Sequence, residues 1–231
     1  MRNMEKVIVI SGGSDGLGKA IAEKLVHNHK IVILSPNSEK LKTVSEHIGC
    51  DYEVCDVTNF DNISESIKSI IKKHKRIDCL INNAGLMVEG KLVDNDFDRI
   101  KQVIEVNTLG TIYLTKGILP QMISQSEGLI INVISQGGVK ARAERSVYNA
   151  SKWAITGFTK SLQLEVAEHN IRLTAFLPGK FKSDMFKKIG KDVSMEDALD
   201  IEEVVRAVEY IVDTNNDVLI PEFGVIDINR K

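Results

Sequence analysis

The chain has 231 residues, 43% of them hydrophobic, and its 30 basic and 32 acidic residues give a formal net charge of −2. This length and apolar content suit one α/β domain with a sizeable core. The near balance of charge gives no support for nucleic-acid binding through a broad basic surface, so we predict no nucleic-acid partner.

The amino-terminal segment and the cysteines bear on location and on metals. After Met1–Lys6 comes the apolar run Val7–Ile10, which is too short for a signal-peptide core or a membrane span. Cys50, Cys55 and Cys79 are odd in number and lack CxxC spacing, so neither a disulfide framework nor a zinc site is indicated. We therefore predict a cytoplasmic protein with no membrane partner and no metal.

The first predicted element is a short, buried strand at Lys6–Ile10, rich in β-branched residues. It leads into the glycine-rich stretch Ser11–Gly18 and then into an amphipathic helix. Gly12 and Gly16 would let the backbone approach a pyrophosphate, which the free N–H groups of the helix N-terminus favour. Gly18 would let helix and strand pack closely. This order predicts nucleotide binding; the alternative is a glycine turn that binds no ligand.

Strands and helices alternate along the rest of the chain. Further strands are predicted at about Ile31–Leu34, Tyr52–Cys55, Asp78–Ile81, Leu129–Ile134 and Arg172–Leu177. Helices are predicted from an N-cap at Ser38 to about Ile48, over about Phe60–His74 and Phe97–Ser124, from the region of Tyr148 to about His169, and over Glu202–Val212. Lys182–Asp200 is expected to be a short helical, mobile excursion, and Val218–Ile228 a last strand pair or bend. The alternation predicts an α/β fold with a doubly wound parallel sheet, a Rossmann fold, in a single domain over residues 1–231.

The long helix predicted over residues 97–124 contains two poor helix formers near its middle. Asn107 and Gly110 both have low propensity for a helix interior. We therefore expect a local distortion of the helix at this point.

Tyr148 and Lys152 stand four positions apart in a stretch predicted to be helical, so their side chains share one face. A phenol keeps its proton until pH ~10. A neighbouring ammonium group favours the phenolate and lowers that pKa towards the working range of a general acid/base. The pair alone is also compatible with a chance Tyr and Lys on a half-exposed helix, so its interpretation depends on the surrounding motifs.

Several further motifs stand in register with this pair. Ser11–Gly18 resembles the TGxxxGxG loop of the short-chain dehydrogenase/reductase family, with Ser in place of Thr, and Asn82–Gly85 matches the family's NNAG motif. Pro178 and Gly179, followed by Ser183, are similar to its PG motif, whose Thr or Ser contacts the nicotinamide carboxamide. The family's catalytic tetrad is matched in order and spacing by Asn107, Ser135, Tyr148 and Lys152. The resemblance covers essentially the whole chain.

The resemblance implies a role for each member of the tetrad. Tyr148 would exchange the proton of the substrate hydroxyl while hydride passes to or from the nicotinamide ring. Lys152 would lower the Tyr148 pKa and hold the nicotinamide ribose hydroxyls. Ser135 would hydrogen-bond the substrate oxygen and stabilise the charge that develops there. Asn107 would bind a water molecule that links Lys152 to solvent.

The resemblance also implies a set of cofactor contacts spread over the ends of several strands. They are Gly12, Ser14, Asp15, Gly16, Leu17, Gly18, Ser35, Asn37, Asp56, Val57, Asn83, Ala84, Gly85, Tyr148, Lys152, Pro178, Gly179, Phe181 and Ser183.

The end of the second strand bears on the choice between NAD and NADP. An NAD site wants an acidic residue about 20 residues past the first glycines, to hold the ribose 2′-hydroxyl, and here the strand ends at Ser35. The missing carboxylate leaves room for a 2′-phosphate. Against this, Pro36 replaces the Arg that often follows, and Asp15 stands where NADP enzymes often place a basic residue. We predict NADP, with NAD as the alternative, and the remaining candidate phosphate contacts are Ser14, Asn37 and Lys40.

The sequence thus predicts an NAD(P)-dependent oxidoreductase that interconverts a carbonyl and a secondary alcohol on a small substrate. The alternative is a catalytically idle nucleotide-binding redox sensor or scaffold, although such relatives would be expected to lose Tyr148 or Lys152. A nucleotide-sugar epimerase or dehydratase is disfavoured, because the chain lacks a GxxGxxG loop and a larger carboxyl-terminal domain. The helices near Asn107 and Tyr148 are expected to form a homodimer or homotetramer. Candidate residues of the substrate pocket are Met87, Gln136, Val139, Arg142, Arg145, Lys180, Met185 and Phe186.

Overall fold

The structure, a computed structural model, describes residues 5–190 and 192–228; residues 1–4, 191 and 229–231 of the predicted domain lie outside this range. Its strands are β1 (Val7–Ser11), β2 (Lys30–Ser35), β3 (Asp51–Val54), β4 (Cys79–Asn82), β5 (Gly128–Val133), β6 (Ile171–Pro178) and β7 (Glu222–Val225). They form one seven-stranded sheet in the order β3-β2-β1-β4-β5-β6-β7, and every neighbouring pair is parallel. The predicted doubly wound α/β fold is confirmed.

Helices cover both faces of the sheet. They are α1 (Gly16–Leu25), α2 (Ser38–Ile48), α3 (Phe60–His74), α4 (Phe97–Ile104), α5 (Thr111–Gln125), α6 (Ser146–Glu165), α7 (Met185–Lys188) and α8 (Ile201–Asp213). A π-helical segment, Glu105–Gly110, joins α4 to α5, which confirms the distortion expected at Asn107. Short 3-10 turns occupy Leu92–Asp94, Gln136–Gly138 and Ala167–His169. Within the described residues, no helix combines the length and the apolar character that crossing a membrane requires.

The alternation of side chains along β1 divides the core into two layers. Ile8 and Ile10 pack with residues of α1, α2 and α8 on one face of the sheet. Val9, which points the opposite way, packs with residues of α3 and α5 on the other face. Because both faces are covered, the central strands are fully buried and read as unbroken apolar runs.

The order of the strands determines where a ligand can enter. β1 lies between β2 and β4, so the chain runs towards one edge of the sheet after β1 and towards the other edge from β4 onwards. The loops that follow β1 and β4 diverge at this switch point and leave a crevice at the carboxyl ends of the strands.

Three local predictions differ from the structure. The N-cap of α2 is Asn37, not Ser38, because Asn37 is extended and its side chain accepts the N–H of Lys40 at 2.9 Å. The helix that carries Tyr148 ends at Glu165, and a separate 3-10 turn follows it. The carboxyl-terminal segment forms one strand, β7, which pairs with β6, instead of a strand pair or bend.

The two ends of the segment of residues 182–200, expected to be a helical excursion, lie next to each other. The N–H of Lys182 donates to the carbonyl of Leu199 at 2.9 Å, and the N–H of Leu199 donates to the carbonyl of Lys180 at 3.0 Å. These bonds close a loop that contains α7 and places Phe186 beside Tyr148.

Candidate active site

The glycine turn after β1 has a backbone that side chains would distort. Gly12 and Gly16 adopt φ values of +65° and +51°, in the left-handed region that favours glycine. A Cβ on Gly18 would lie 2.4 Å from the carbonyl oxygen of Gly12, so this glycine allows α1 to pack against the turn. A Cβ on Gly16 would meet nothing within 4 Å. The backbone at Gly16 therefore faces open space at the N-terminus of α1.

Ser11 joins the glycine turn to the loop after β4. Its Oγ accepts the N–H groups of Asn83 at 3.0 Å and Ala84 at 3.1 Å, and the Asn83 side chain donates back to the Ser11 carbonyl at 3.0 Å. A hydroxyl is what these bonds need, so Ser serves where the family motif has Thr. The two loops that border the crevice are thereby held in one arrangement.

Asn107 is buried and fully engaged with protein groups. Its Oδ1 accepts the N–H of Leu86 at 2.7 Å, and its Nδ2 donates to the Leu86 carbonyl at 2.9 Å and to Ser151 Oγ at 3.0 Å. The π-helical segment thus fixes the loop after β4 against α6. The predicted role of Asn107 in holding a water molecule stays a prediction.

Lys152 lies buried at the carboxyl end of β5. Its Nζ donates to the carbonyl of Val133 at 2.9 Å and lies 5.9 Å from the ring centroid of Tyr148. Burial lowers the pKa of Lys152 to about 8. A buried amine that titrates in this range is suited to proton exchange.

Ser135 and Tyr148 are neighbours with unusual surroundings. Ser135 has φ of +112°, a strained value for a residue other than glycine, and its Oγ accepts the N–H of Gly137 at 3.2 Å. Burial raises the pKa of Tyr148, while the nearby Ser135 hydroxyl and the charge of Arg145 act in the opposite direction. We expected a neighbouring ammonium group to bring the Tyr148 pKa down, and this expectation is wrong for the protein alone. Desolvation of the phenolate outweighs the neighbouring groups that favour it, so the net pKa is raised.

The far end of the crevice holds the residues that bear on cofactor choice. Ser14 Oγ donates to Ser35 Oγ at 2.9 Å, and both residues are buried. Asp15 caps α1 by accepting the N–H of Gly16 at 2.7 Å, and it forms ion pairs with Lys40 and Lys188. Partial burial opposes the charged form of Asp15, but the two lysines and the Gly16 N–H outweigh it and hold its pKa well below the usual range.

One cleft of about 740 Å³ connects these groups. Most of the predicted cofactor and catalytic residues line it, namely Gly12, Ser14, Asp15, Gly16, Leu17, Ser35, Asn83, Ala84, Gly85, Ser135, Tyr148, Lys152, Pro178, Gly179, Phe181 and Ser183. The predicted pocket residues Met87, Gln136, Arg142, Arg145, Lys180, Met185 and Phe186 line it as well. The predicted residues that do not are Gly18, Asn37, Lys40, Asp56, Val57, Asn107 and Val139.

Two of the residues outside the cleft have clear local partners. The Asp56 carboxylate accepts the N–H of Thr58 at 2.9 Å and its hydroxyl at 2.7 Å. Val57 packs so closely on Gly110 that a Cβ there would lie 2.6 Å from it.

Sequence reasoning missed the partners that long-range folding supplies. Lys188 pairs with Asp15 at 2.7 Å, and Glu89 pairs with Arg145 at 3.2 Å. The carbonyl of Val133, which positions Lys152, has no side-chain signature at all. No local pattern in the sequence marks these contacts.

The cleft suits a nicotinamide dinucleotide. Bare backbone at Gly16 and the N-terminus of α1 offer a site for a pyrophosphate, and buried Tyr148 and Lys152 stand at the other end. Among the described residues, no three His, Cys, Asp or Glu side chains are grouped so as to hold a metal ion.

The fold and this site define the class of Rossmann-fold oxidoreductases that bind a nicotinamide dinucleotide. The family model described as short chain dehydrogenase matches residues 6–194, and the chain belongs to that family. It is a short-chain dehydrogenase/reductase enzyme, as the sequence predicts.

Relatives and solved structures agree with this assignment. The chain is 32% identical over 224 residues to an uncharacterized oxidoreductase of Staphylococcus epidermidis, with 96% of each chain covered. It is 33% identical over 218 residues to carbonyl reductase family member 4 of Xenopus tropicalis, covering 91% of this chain and 92% of the relative. The crystal structure of a point variant of actinorhodin polyketide ketoreductase with NADPH matches with a TM-score of 0.89 at 25% identity, covering 96% of both chains.

Proposed function

We propose that this chain is an NADP-preferring oxidoreductase that interconverts a carbonyl and a secondary alcohol on a small molecule, with Tyr148 as general acid/base. The observation that carries the proposal is that Ser135, Tyr148 and Lys152 line the same cleft as the open glycine turn at Gly16. A bound nicotinamide cofactor would supply or accept the hydride. The chain's own residues would position the substrate oxygen and manage its proton.

Ser135 and Tyr148 would both bind the substrate oxygen. The nearby Ser135 hydroxyl favours the phenolate of Tyr148, so it is able to donate towards negative charge at this point. A substrate oxygen between them would receive two hydrogen bonds, which stabilise an oxygen that gains charge. In reduction Tyr148 would donate its proton to that oxygen, and in oxidation it would take the proton back.

Lys152 would support this proton transfer from the side. Its Nζ is fixed by the Val133 carbonyl, so its charge stays near the Tyr148 ring. When the phenolate forms, the ammonium group would stabilise it, and the two groups would titrate as a coupled pair. With a pKa of about 8, Lys152 would exchange protons readily near neutral pH. The ribose hydroxyls of the cofactor are the expected further partners of its Nζ.

The preference for NADP rests on the groups around the end of β2. The hydroxyls of Ser14 and Ser35 stand where an NAD site would have a carboxylate. Two lysines, Lys40 and Lys188, converge on the single carboxylate of Asp15, which leaves an excess of positive charge. The ketoreductase with NADPH has the same fold, which supports this choice of cofactor.

Replacement of one hydroxyl tests the mechanism. We expect Tyr148→Phe to lower kcat with NADPH and a ketone panel by about 1000-fold, because only the proton-transfer group is lost. Cofactor affinity, measured by titration, should stay nearly unchanged. The matched control is Tyr210→Phe on the exposed face of α8, which should keep full activity. The same assays with NADH give the cofactor preference of the wild type.

The outcomes separate the alternatives. Substantial turnover by Tyr148→Phe would contradict the general acid/base role. A wild-type protein that binds NADPH but reduces no carbonyl would favour the redox sensor or scaffold. A preference for NADH would overturn our interpretation of Ser35.

We propose further that the protein acts in the cytoplasm as a homodimer or homotetramer, with a small carbonyl or alcohol as substrate. The oligomer is supported by large apolar side chains that stand exposed on α4 and α6, including Phe97 and Leu164.

A further inference from the structure

Arg145 occupies an unusual position beside Tyr148. It immediately precedes α6, so its charge lies at the positive end of the helix dipole, where a cation is unfavourable. The side chain is only 15% exposed, and its guanidinium lies over the ring of Phe186, 5.3 Å from the centroid. A buried cation at an unfavourable end of a helix dipole lowers stability. Its presence in the cleft therefore indicates a functional role.

The guanidinium is only partly satisfied by protein acceptors. Within the described residues its hydrogen bonds run from Nη2 to the Glu89 carboxylate, at 3.2 and 3.4 Å. The Nε is buried and has no partner among those residues. An arginine offers five N–H donors in a planar fork, so most of the donors of Arg145 are left for another acceptor.

Other cations share the wall of the cleft around Tyr148. Arg99, Lys140, Arg142, Lys152 and Lys180 line it together with Arg145, whereas the carboxylates lining this region are those of Asp184 and Asp197. Asp197 is already paired with Lys180. This part of the cleft is therefore electropositive in a chain whose net charge is −2, which favours an anionic ligand.

We propose that Arg145 binds the carboxylate of the substrate and selects oxo acids and hydroxy acids over neutral carbonyls and alcohols. The proposal rests on the function proposed above and names the substrate class of that same site. Glu89 would hold Arg145 through one nitrogen, and Phe186 would fix the plane of the guanidinium. The fork would then match a planar carboxylate, which a lysine does less well.

The short separation of Arg145 and Tyr148 on α6 limits which acids can reach both side chains. Arg145 stands three residues before Tyr148, so both side chains project from the same turn at the start of α6. A substrate whose carboxylate meets Arg145 would present a nearby oxygen to Tyr148. Acids with the reacting carbonyl close to the carboxylate are therefore the fitting class.

The test compares an acid with its neutral ester. Pyruvate, acetoacetate and their methyl esters are offered to the wild type, Arg145→Gln, Arg145→Lys and the control Arg206→Gln, an exposed arginine of α8. We expect Arg145→Gln to lower the acid-to-ester ratio of kcat/KM by about 100-fold, mainly through KM, because charge-assisted recognition is lost. Arg145→Lys should restore part of the preference, and Arg206→Gln should change nothing. The double variant Glu89→Gln/Arg145→Gln leaves no unpaired carboxylate and should behave like Arg145→Gln.

A binding measurement separates this proposal from the proposed function. Calorimetric titration of the two acids into protein saturated with NADP should show binding that Arg145→Gln abolishes. Equal losses for acid and ester, unchanged acid binding in the variant, or no binding of either acid would overturn the role of Arg145. If both acid and ester are reduced without discrimination, the oxidoreductase function stands and this inference fails. If the acids bind through Arg145 but no carbonyl is reduced, the proposed reaction fails. A preference for a phosphate-bearing ketone over both acids would overturn the assignment to a carboxylate.

Discussion

At the scale of one residue, the burial of Lys152 in the site lowers the stability of the folded protein. Its amino group is buried, and among the described residues no carboxylate lies within ion-pair distance of it. Burial without a counter-charge disfavours the ammonium form, which is why its pKa falls to about 8 from the usual 10.5. The unfolded chain therefore holds this proton more tightly than the folded protein does.

Replacement of this lysine tests that cost. Between pH 8 and 10.5 the unfolded chain binds the proton that the folded protein has released, so the free energy of unfolding rises with pH in this window. We expect Lys152→Met to be more stable than the wild type near neutral pH by about 3 kcal/mol, and the difference to shrink as pH rises through the window. Urea unfolding at several pH values measures this, with the exposed Lys42→Met as the control. A difference that does not vary with pH would contradict the burial argument.

At the scale of elements, the glycine turn combines two different demands. Gly18 is required by packing, since any side chain there collides with the Gly12 carbonyl. Gly16 has no such neighbour and is required only by its positive φ and by what approaches it. The two glycines therefore separate stability from ligand binding within one turn.

This difference predicts opposite effects of two substitutions. Gly16→Val should lower NADP affinity by at least about tenfold, because its side chain enters the space left for a pyrophosphate. Its free energy of unfolding should fall by about 1–2 kcal/mol, the strain of a left-handed residue, so its Tm should fall only modestly. Gly18→Ala should instead lower Tm strongly. Fluorescence titration and thermal melts measure both quantities; unchanged affinity in Gly16→Val would mean that the turn is not the phosphate site.

Local pattern explains why much of the site and most of the elements could be predicted. The strand before the glycine turn, the distortion at Asn107 and the face shared by Tyr148 and Lys152 all depend on residues close in sequence. The cap of α2 failed because Asn37 and Ser38 are both good caps, and only the backbone conformation chooses between them. The pairing of β7 could not be read because an edge strand of four residues carries little pattern of its own.

At the scale of the molecule, the cleft depends on contacts that sequence reading cannot supply. Asp15 and Lys188 are separated by 173 positions, and Glu89 and Arg145 by 56. The net shift of the Tyr148 pKa likewise depends on burial by several elements, and this reverses the expectation drawn from Lys152 alone. These long-range ion pairs and this burial arise only when the sheet brings the loops after its strands to one end.

The outer surface of α6 carries the last prediction. Trp153 and Leu164 are 50% and 82% exposed, and eleven positions apart they lie on nearly the same face of the helix. Between them stands Gly157, where a Cβ would meet nothing within 4 Å. Exposed apolar side chains aligned on one helix are typical of a protein–protein contact, and Phe97 of α4 is 88% exposed.

We expect the wild type to sediment as a dimer or tetramer and the double variant Trp153→Glu/Leu164→Glu to sediment as a smaller species, because buried charges at a contact cannot be paired. The control Val54→Glu places a charge on the exposed edge strand β3 and should keep the wild-type state. Sedimentation velocity over a range of concentrations measures this. A wild type that is monomeric throughout would contradict the oligomer, and an unchanged assembly in the double variant would move the contact away from α6. Since α6 also carries Tyr148 and Lys152, an interface on its outer face would brace the helix that presents both groups to the cleft.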